Sequence, residues 1–229
     1  MGSRNWEKVR SARLFCAMDD EAFDQLMETA FLHRFPKHSN FVTEGDEADF
    51  LYVLLDGIVE LFSCHETHRT TLHIIRPIAT FTLPSVIREG AYLASARALA
   101  TSDILMIPAQ TVRQLLRADI AFAEAMVHEL AERYCGTIKA LKSVKLRDGV
   151  ERLANWILQA NKYQGQLNHI ELTFDKRTLA SRLGMTPENL SRSFAMLMKH
   201  GVRREGRIIT IEDPSALMLV AKPSSLIDG

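Results

Sequence analysis

The chain has 229 residues, is 47% hydrophobic and carries 28 basic against 28 acidic side chains, so it is formally neutral. That balance supports one or two domains with a substantial core and excludes a largely disordered or low-complexity chain. The opening MGSRNWEKVR has no apolar h-region, and no apolar run approaches the roughly 20 residues of a membrane span. A cytoplasmic protein without a membrane partner is therefore expected. Cys16, Cys64 and Cys135 form neither a CxxC pair nor a disulfide framework and read as free thiols of a reducing compartment. Cys135 is expected to be a small buried side chain rather than a redox switch.

Taken in order, residues up to about 35 read as helix, with Ala22, Phe23, Leu26, Met27 and Ala30 at helical spacing after an Asp19-Asp20 start. From Pro36 to about Pro108 the pattern changes to short β-rich runs at 41–42, 51–55, 58–62, 71–75 and 104–107. Turn signals such as Gly45-Asp46 and Asp56-Gly57 separate them. Such a series predicts a β-roll or jelly roll. Helix resumes at 111–116.

A long helix is predicted from about 119 to 144. Ala123, Val127, Leu130, Tyr134, Thr137, Leu141 and Val144 recur at alternating steps of four and three, a heptad seam. Its polar flanks (Glu124, His128, Glu132, Lys139, Lys142) favour a parallel two-helix homodimer over packing on the chain's own β-domain. Residues 145–149 read as a hinge, with Asp148 as N-cap of a helix from 150 to about 161 whose inward positions are Leu153, Ile157 and Ala160. Residues 163–168 read as a polar loop.

Residues 179–201, LASRLGMTPENLSRSFAMLMKHG, read as two short helices joined by a tight turn. Gly184 suits a left-handed helix end, Thr186 an N-cap and Pro187 the first helical turn. Leu190, Phe194 and Leu197 form an inward stripe, while Glu188, Ser191 and Arg192 share another face near the helix start. That is the layout of a recognition helix for the DNA major groove. Between Asp175 and Arg207 eight bases face three acids, a net +5 set against an acidic remainder. The stretch 202–209 reads as a hairpin turning at Glu205-Gly206, a wing whose Arg203 and Arg204, with Thr186 and Lys199 at the two ends of the reading helix, would contact the DNA.

The order of these parts resembles the CRP/FNR family of bacterial transcription regulators. The resemblance covers nearly the whole chain and is carried by Gly45 and Gly57, by Glu151-Arg152-Leu153-Ala154 after the hinge, and by LASRLGMTPENLSRSF. It implies an α+β fold: an N-terminal cyclic-nucleotide-binding-type β-roll (1–117), a long dimerisation helix (118–145) and a C-terminal winged helix-turn-helix (146–229). Glu188, Ser191 and Arg192 look like the Glu-x-x-Ser-Arg reading set of the FNR-like branch. The implied target is double-stranded DNA with a palindrome near TTGAT-N4-ATCAA, and the implied partner is RNA polymerase.

The sensor half departs from its relatives. Where cyclic-nucleotide binders of the family have Gly-Glu-Leu and, further on, Arg-Ser or Arg-Thr, this chain has Thr82-Leu83-Pro84-Ser85-Val86 and Tyr92-Leu93, with Arg97 the nearest later arginine. A buried phosphate would lack its compensating charge, so cyclic AMP is not the expected effector. Cys16 alone cannot supply the thiolates of an iron–sulfur cluster. His73 is a candidate haem ligand, which makes a haem-dependent sensor one alternative. A protein-interaction module with a merely structural helix-turn-helix is another. No enzyme is expected: His128-Glu129 begins like a zinc HExxH motif, but Glu132 stands where the second histidine belongs.

Overall fold

The computed structural model describes residues 3–228, so the first two residues of the charged N-terminal stretch lie outside the described residues. The chain divides into two compact units, Met1–Tyr134 and Cys135–Gly229. In the first, α1 (Ser3–Arg10) and α2 (Asp20–Glu28) precede β1 (Phe31–Phe35), β2 (Asn40–Val42), β3 (Phe50–Asp56), β4 (Val59–His65), β5 (His68–Ile75) and β6 (Ala79–Phe81). Helix α3 (Leu83–Arg88), β7 (Ser95–Ala98), β8 (Ser102–Pro108), α4 (Ala109–Ala118) and the start of α5 (Ile120–Leu146) complete it. The strands form two four-stranded sheets, ordered β1-β8-β3-β6 and β2-β7-β4-β5.

Residues 31–35 correct the expectation of helix. Asp19 caps α2, but the chain then pairs antiparallel with β8, Phe31 opposite Met106 and Phe35 opposite Ser102. This long-range pairing overrides the local helical spacing. Strand β3 is buried from Leu51 to Leu55 because α1, α3 and α4 also pack against it. Aromatic rings fill the roll: Tyr52 stacks on Phe81 at 5.2 Å, Phe41 lies 6.2 Å from Phe81, and Phe35 stacks on Phe41 at 4.5 Å.

Gly57, in the β3–β4 turn, has φ +96°, and a Cβ there would collide with Ser102 Oγ and the Thr101 carbonyl. Gly57→Ala is therefore expected to cost about 2–3 kcal/mol through left-handed strain and the clash. Urea unfolding at constant m-value would measure it.

Helix α5 buries Phe122 and Met126 against the β-roll, and one turn further on Glu129 and Arg133 are half-buried. There the Arg133 guanidinium donates to the Thr80 carbonyl and to Glu129. The heptad seam lies elsewhere on the helix: Val127, Tyr134, Leu141 and Val144 are 66, 68, 49 and 48% exposed. Thr137 is also exposed, whereas Leu130 is half-buried against the core. Cys135 is exposed, not buried as expected, because α5 buries side chains only near its start, at Phe122 and Met126.

The second unit contains α6 (Gly149–Tyr163), β9 (His169–Glu171), α7 (Lys176–Arg182), α8 (Pro187–Met198), β10 (Val202–Glu205), β11 (Ile208–Ile211), α9 (Pro214–Ala221) and α10 (Ser225–Asp228). Asp148 and Glu151 close a capping box at the start of α6, which fixes where the hinge ends. Leu153 and Ile157 are fully buried, and Ala160 is half-buried. The three strands pair in the order β10-β11-β9.

At the hinge, Arg147 makes a two-pronged ion pair with Asp228, side chains 6 and 14% exposed. The Arg147 hydrogen bonds hold the Asp228 carboxyl below the ordinary carboxylate range. Asp228→Asn should cost about 3 kcal/mol at pH 7, since it strands a buried guanidinium. The stabilisation is present above the unfolded carboxylate value of about 4 and lost as pH falls through the depressed folded value. Melts of parent and variant at neutral and acid pH should thus differ at the first and converge at the second.

Candidate nucleic-acid interface

The reading head is built from capped helices. Asp175 accepts the Thr178 N–H at 2.7 Å and starts α7. Leu179 and Ala180 of α7 are buried, and the chain leaves the helix through Gly184 at φ +62°. Thr186 Oγ1 accepts the Asn189 N–H at 3.2 Å, and Pro187 occupies the first turn of α8, where a missing N–H is harmless. Leu190, Phe194 and Leu197 point inward and are buried, as the stripe predicts. Burying one face leaves Glu188, Asn189, Ser191, Arg192, Met196 and Lys199 exposed.

The exposed side chains are mutually organised. Arg192 donates from Nη2 to Asn189 Oδ1 at 2.7 Å. Lys176, the first residue of α7, donates to Ser191 Oγ at 2.5 Å, and that hydroxyl donates to the Pro187 carbonyl at 2.8 Å. The Glu188 carboxyl is held below its ordinary range by its own backbone N–H and by the Thr186 hydroxyl, with Arg192 and Lys176 adding attraction. It is thus an ionised acceptor at neutral pH. A guanidinium fork beside a carboxylate on one exposed helical turn matches the donor and acceptor pattern of a G·C pair in the major groove.

The wing differs in detail from the expectation. The β10–β11 hairpin pairs Glu205 with Ile208, so the turn is Gly206-Arg207, one residue later. Arg203 is exposed and ion-paired with Glu212. Arg204 is half-buried, its guanidinium 5.3 Å from the Phe194 ring centroid. It braces the hairpin on α8 through cation–π contact, an arrangement that only the folded pair of elements reveals. Lys176 and Asn189 were missed from sequence. Asn189 had a local signal, exposure on the first turn of α8. Lys176 had none, because only the packing of α7 on α8 brings it to Ser191.

Comparison with known proteins agrees with this architecture. Residues 32–119 match the family model for a cyclic nucleotide-binding domain, and residues 151–220 match that for a Crp-like helix-turn-helix domain. The Fumarate and nitrate reduction regulatory protein of Escherichia coli is 25% identical over 185 residues, which cover 77% of this chain and 73% of that one. The cAMP-activated global transcriptional regulator CRP of Pasteurella multocida is 21% identical over 198 residues, 84% of this chain and 95% of that one. The structure of FixK2 from Bradyrhizobium japonicum superposes with a TM-score of 0.76 at 16% identity, covering 86% of this chain and 99% of that one. The chain belongs to the CRP/FNR family.

Members of this family are transcription regulators that bind DNA through the helix-turn-helix and act as dimers. Among the described residues no helix is long and apolar enough to cross a membrane. No group of three or more His, Cys, Asp or Glu among them is arranged to hold a metal ion.

The cyclic-nucleotide-binding-type sensor fold is present. Leu83 and Val86, where the resemblance places the ribose-binding segment, are fully buried at the start of α3. Leu93, near where the resemblance places the phosphate-binding arginine, is 63% exposed. Arg97 is committed elsewhere: its Nε donates to Glu60 Oε2 at 2.6 Å. Glu60 is 1% exposed and also takes Arg69 at 2.9 Å and the Thr71 hydroxyl. A single buried carboxylate thus holds both arginines through charge-assisted hydrogen bonds. His73 lies exposed on β5, beside an exposed Leu72.

Proposed function

We propose that the protein is a homodimeric, sequence-specific transcription regulator reading a palindrome near TTGAT-N4-ATCAA, with an effector other than cyclic AMP. The observation that carries the reading is the exposed first turn of α8, where Arg192 is held by Asn189 beside an ionised Glu188. The half-site has one G·C pair. Arg192 would fork onto O6 and N7 of its guanine, and Glu188 would accept from N4 of its cytosine. Ser191 and Lys176, hydrogen-bonded together, would meet the flanking backbone.

The exposed seam supports the homodimer, because a row of apolar side chains at heptad spacing is stabilised when a second copy covers it. A groove lined by Leu116, Ile120, Ala123 and Val127 continues that surface. Two-fold symmetry would then address two half-sites about one DNA turn apart. RNA polymerase as partner and a cytoplasmic location accompany this reading. Haem has less support, since the exposed His73 has no apolar enclosure of the kind a porphyrin needs.

The test is binding of purified full chain, nothing added, to TTGAT-N4-ATCAA, TGTGA-N6-TCACA and scrambled duplexes at two salt concentrations. Selective binding to the first is expected. Equal, weak binding to all three would overturn the half-site, and salt-insensitive binding would favour a protein-interaction module. Lys176→Ala and Lys199→Ala should each weaken every duplex alike and reduce the salt slope by about one. A loss confined to one sequence would make either lysine a base reader.

A further inference from the structure

The Glu151-Arg152-Leu153-Ala154 stretch belongs to neither the reading face nor the seam. Glu151 completes the capping box and pairs with Lys222, and Leu153 and Ala154 are buried. Arg152 does something different. Its Nη1 donates to the Arg147 carbonyl at 2.7 Å and the Val144 carbonyl at 3.2 Å, and its Nη2 reaches the Gly184 carbonyl at 3.4 Å. The first two acceptors stand at the C-terminal end of α5, where carbonyls lack helical partners and the helix dipole is negative. The third is in the turn of the helix-turn-helix.

The same two segments meet a second time. A Cβ at Gly184 would lie 3.9 Å from both Val144 methyl carbons, and Val144 is the last position of the exposed seam. One planar guanidinium thus ties the end of the dimerisation helix to the turn that launches α8. A lysine, with a compact ammonium, could serve the α5 carbonyls but could not fork toward Gly184 at the same time.

We propose that Arg152 is a positioning residue that sets the direction in which the reading head leaves α5, and thereby the half-site spacing that the protein accepts. It contacts no base in this role. The proposal rests on the dimeric reading above, because spacing has meaning only for two heads held by one seam.

The experiment is selection from a random duplex pool by full-length parent, Arg152→Ala and Arg152→Lys, followed by binding to the parent's palindrome and to a single half-site. The parent should select inverted repeats of one spacing. Both variants should select the same half-site with scattered spacings, binding the parent's palindrome about tenfold more weakly but the single half-site within about twofold. Melting curves accompany the binding, and Arg152→Lys decides the matter if the alanine variant does not fold. Retention of the single spacing by Arg152→Lys would overturn the proposal. So would equal losses on half-site and palindrome, the signature of a merely structural arginine. A parent half-site other than TTGAT overturns the proposed sequence alone, since spacing is still compared. A parent that selects no inverted repeat overturns both.

Discussion

Tyr134→Glu combined with Leu141→Glu should turn the protein into a monomer and lower its affinity for the palindrome by about 10²–10⁴-fold, the loss of a second tethered reading head. Both side chains are exposed on α5, so the substitutions leave the β-roll core untouched. In a parallel pair each would face its own copy, so the change removes four apolar side chains from the seam and sets like charges against one another. Burying such a side chain is worth about 1.5–3 kcal/mol, and an interface of this kind cannot absorb four such losses together. Sedimentation should show one species of half the mass, with binding to an isolated half-site unchanged. A dimer that persists, or a monomer that keeps full palindrome affinity, would remove the seam from the account of function.

Arg192→Ala should cost about 1–3 kcal/mol for each half-site and relax the preference for guanine at its G·C pair. The geometry leads to this directly: Asn189 Oδ1 occupies one N–H of the guanidinium and steadies it, leaving other donors free for a base edge. The measurement is a set of duplexes carrying all four base pairs at that position, bound by parent and variant. The parent should separate them, and the variant should bind them alike. Equal weakening on every duplex, with the guanine preference intact, would make Arg192 a phosphate contact and move base reading to Glu188.

The reading head was largely legible in advance because its determinants are local. Gly184 at positive φ, Thr186 capping Asn189 and Pro187 in the first turn each act within a few residues. The spacing of Leu190, Phe194 and Leu197 leaves one way to bury α8, which fixes the exposed face at the same time. The four-three repeat of α5 was legible for the same reason, since it is a property of one helix.

What the chain alone determined, then, is where α6 and α8 begin, which stripe of each is apolar, and that Glu188, Ser191 and Arg192 share one exposed face. Tertiary structure decided the rest. Residues 31–35 became strand because β8, some seventy positions away, supplied hydrogen-bond partners. Arg97 was taken by a buried Glu60, Arg204 came to rest over Phe194, and Lys176 reached Ser191 from another helix. The physical reason is the range of the forces concerned. Caps and periodicity act through bonds between near neighbours in sequence. Ion pairs, ring contacts and strand pairings are set by which distant segments the burial of apolar surface brings together.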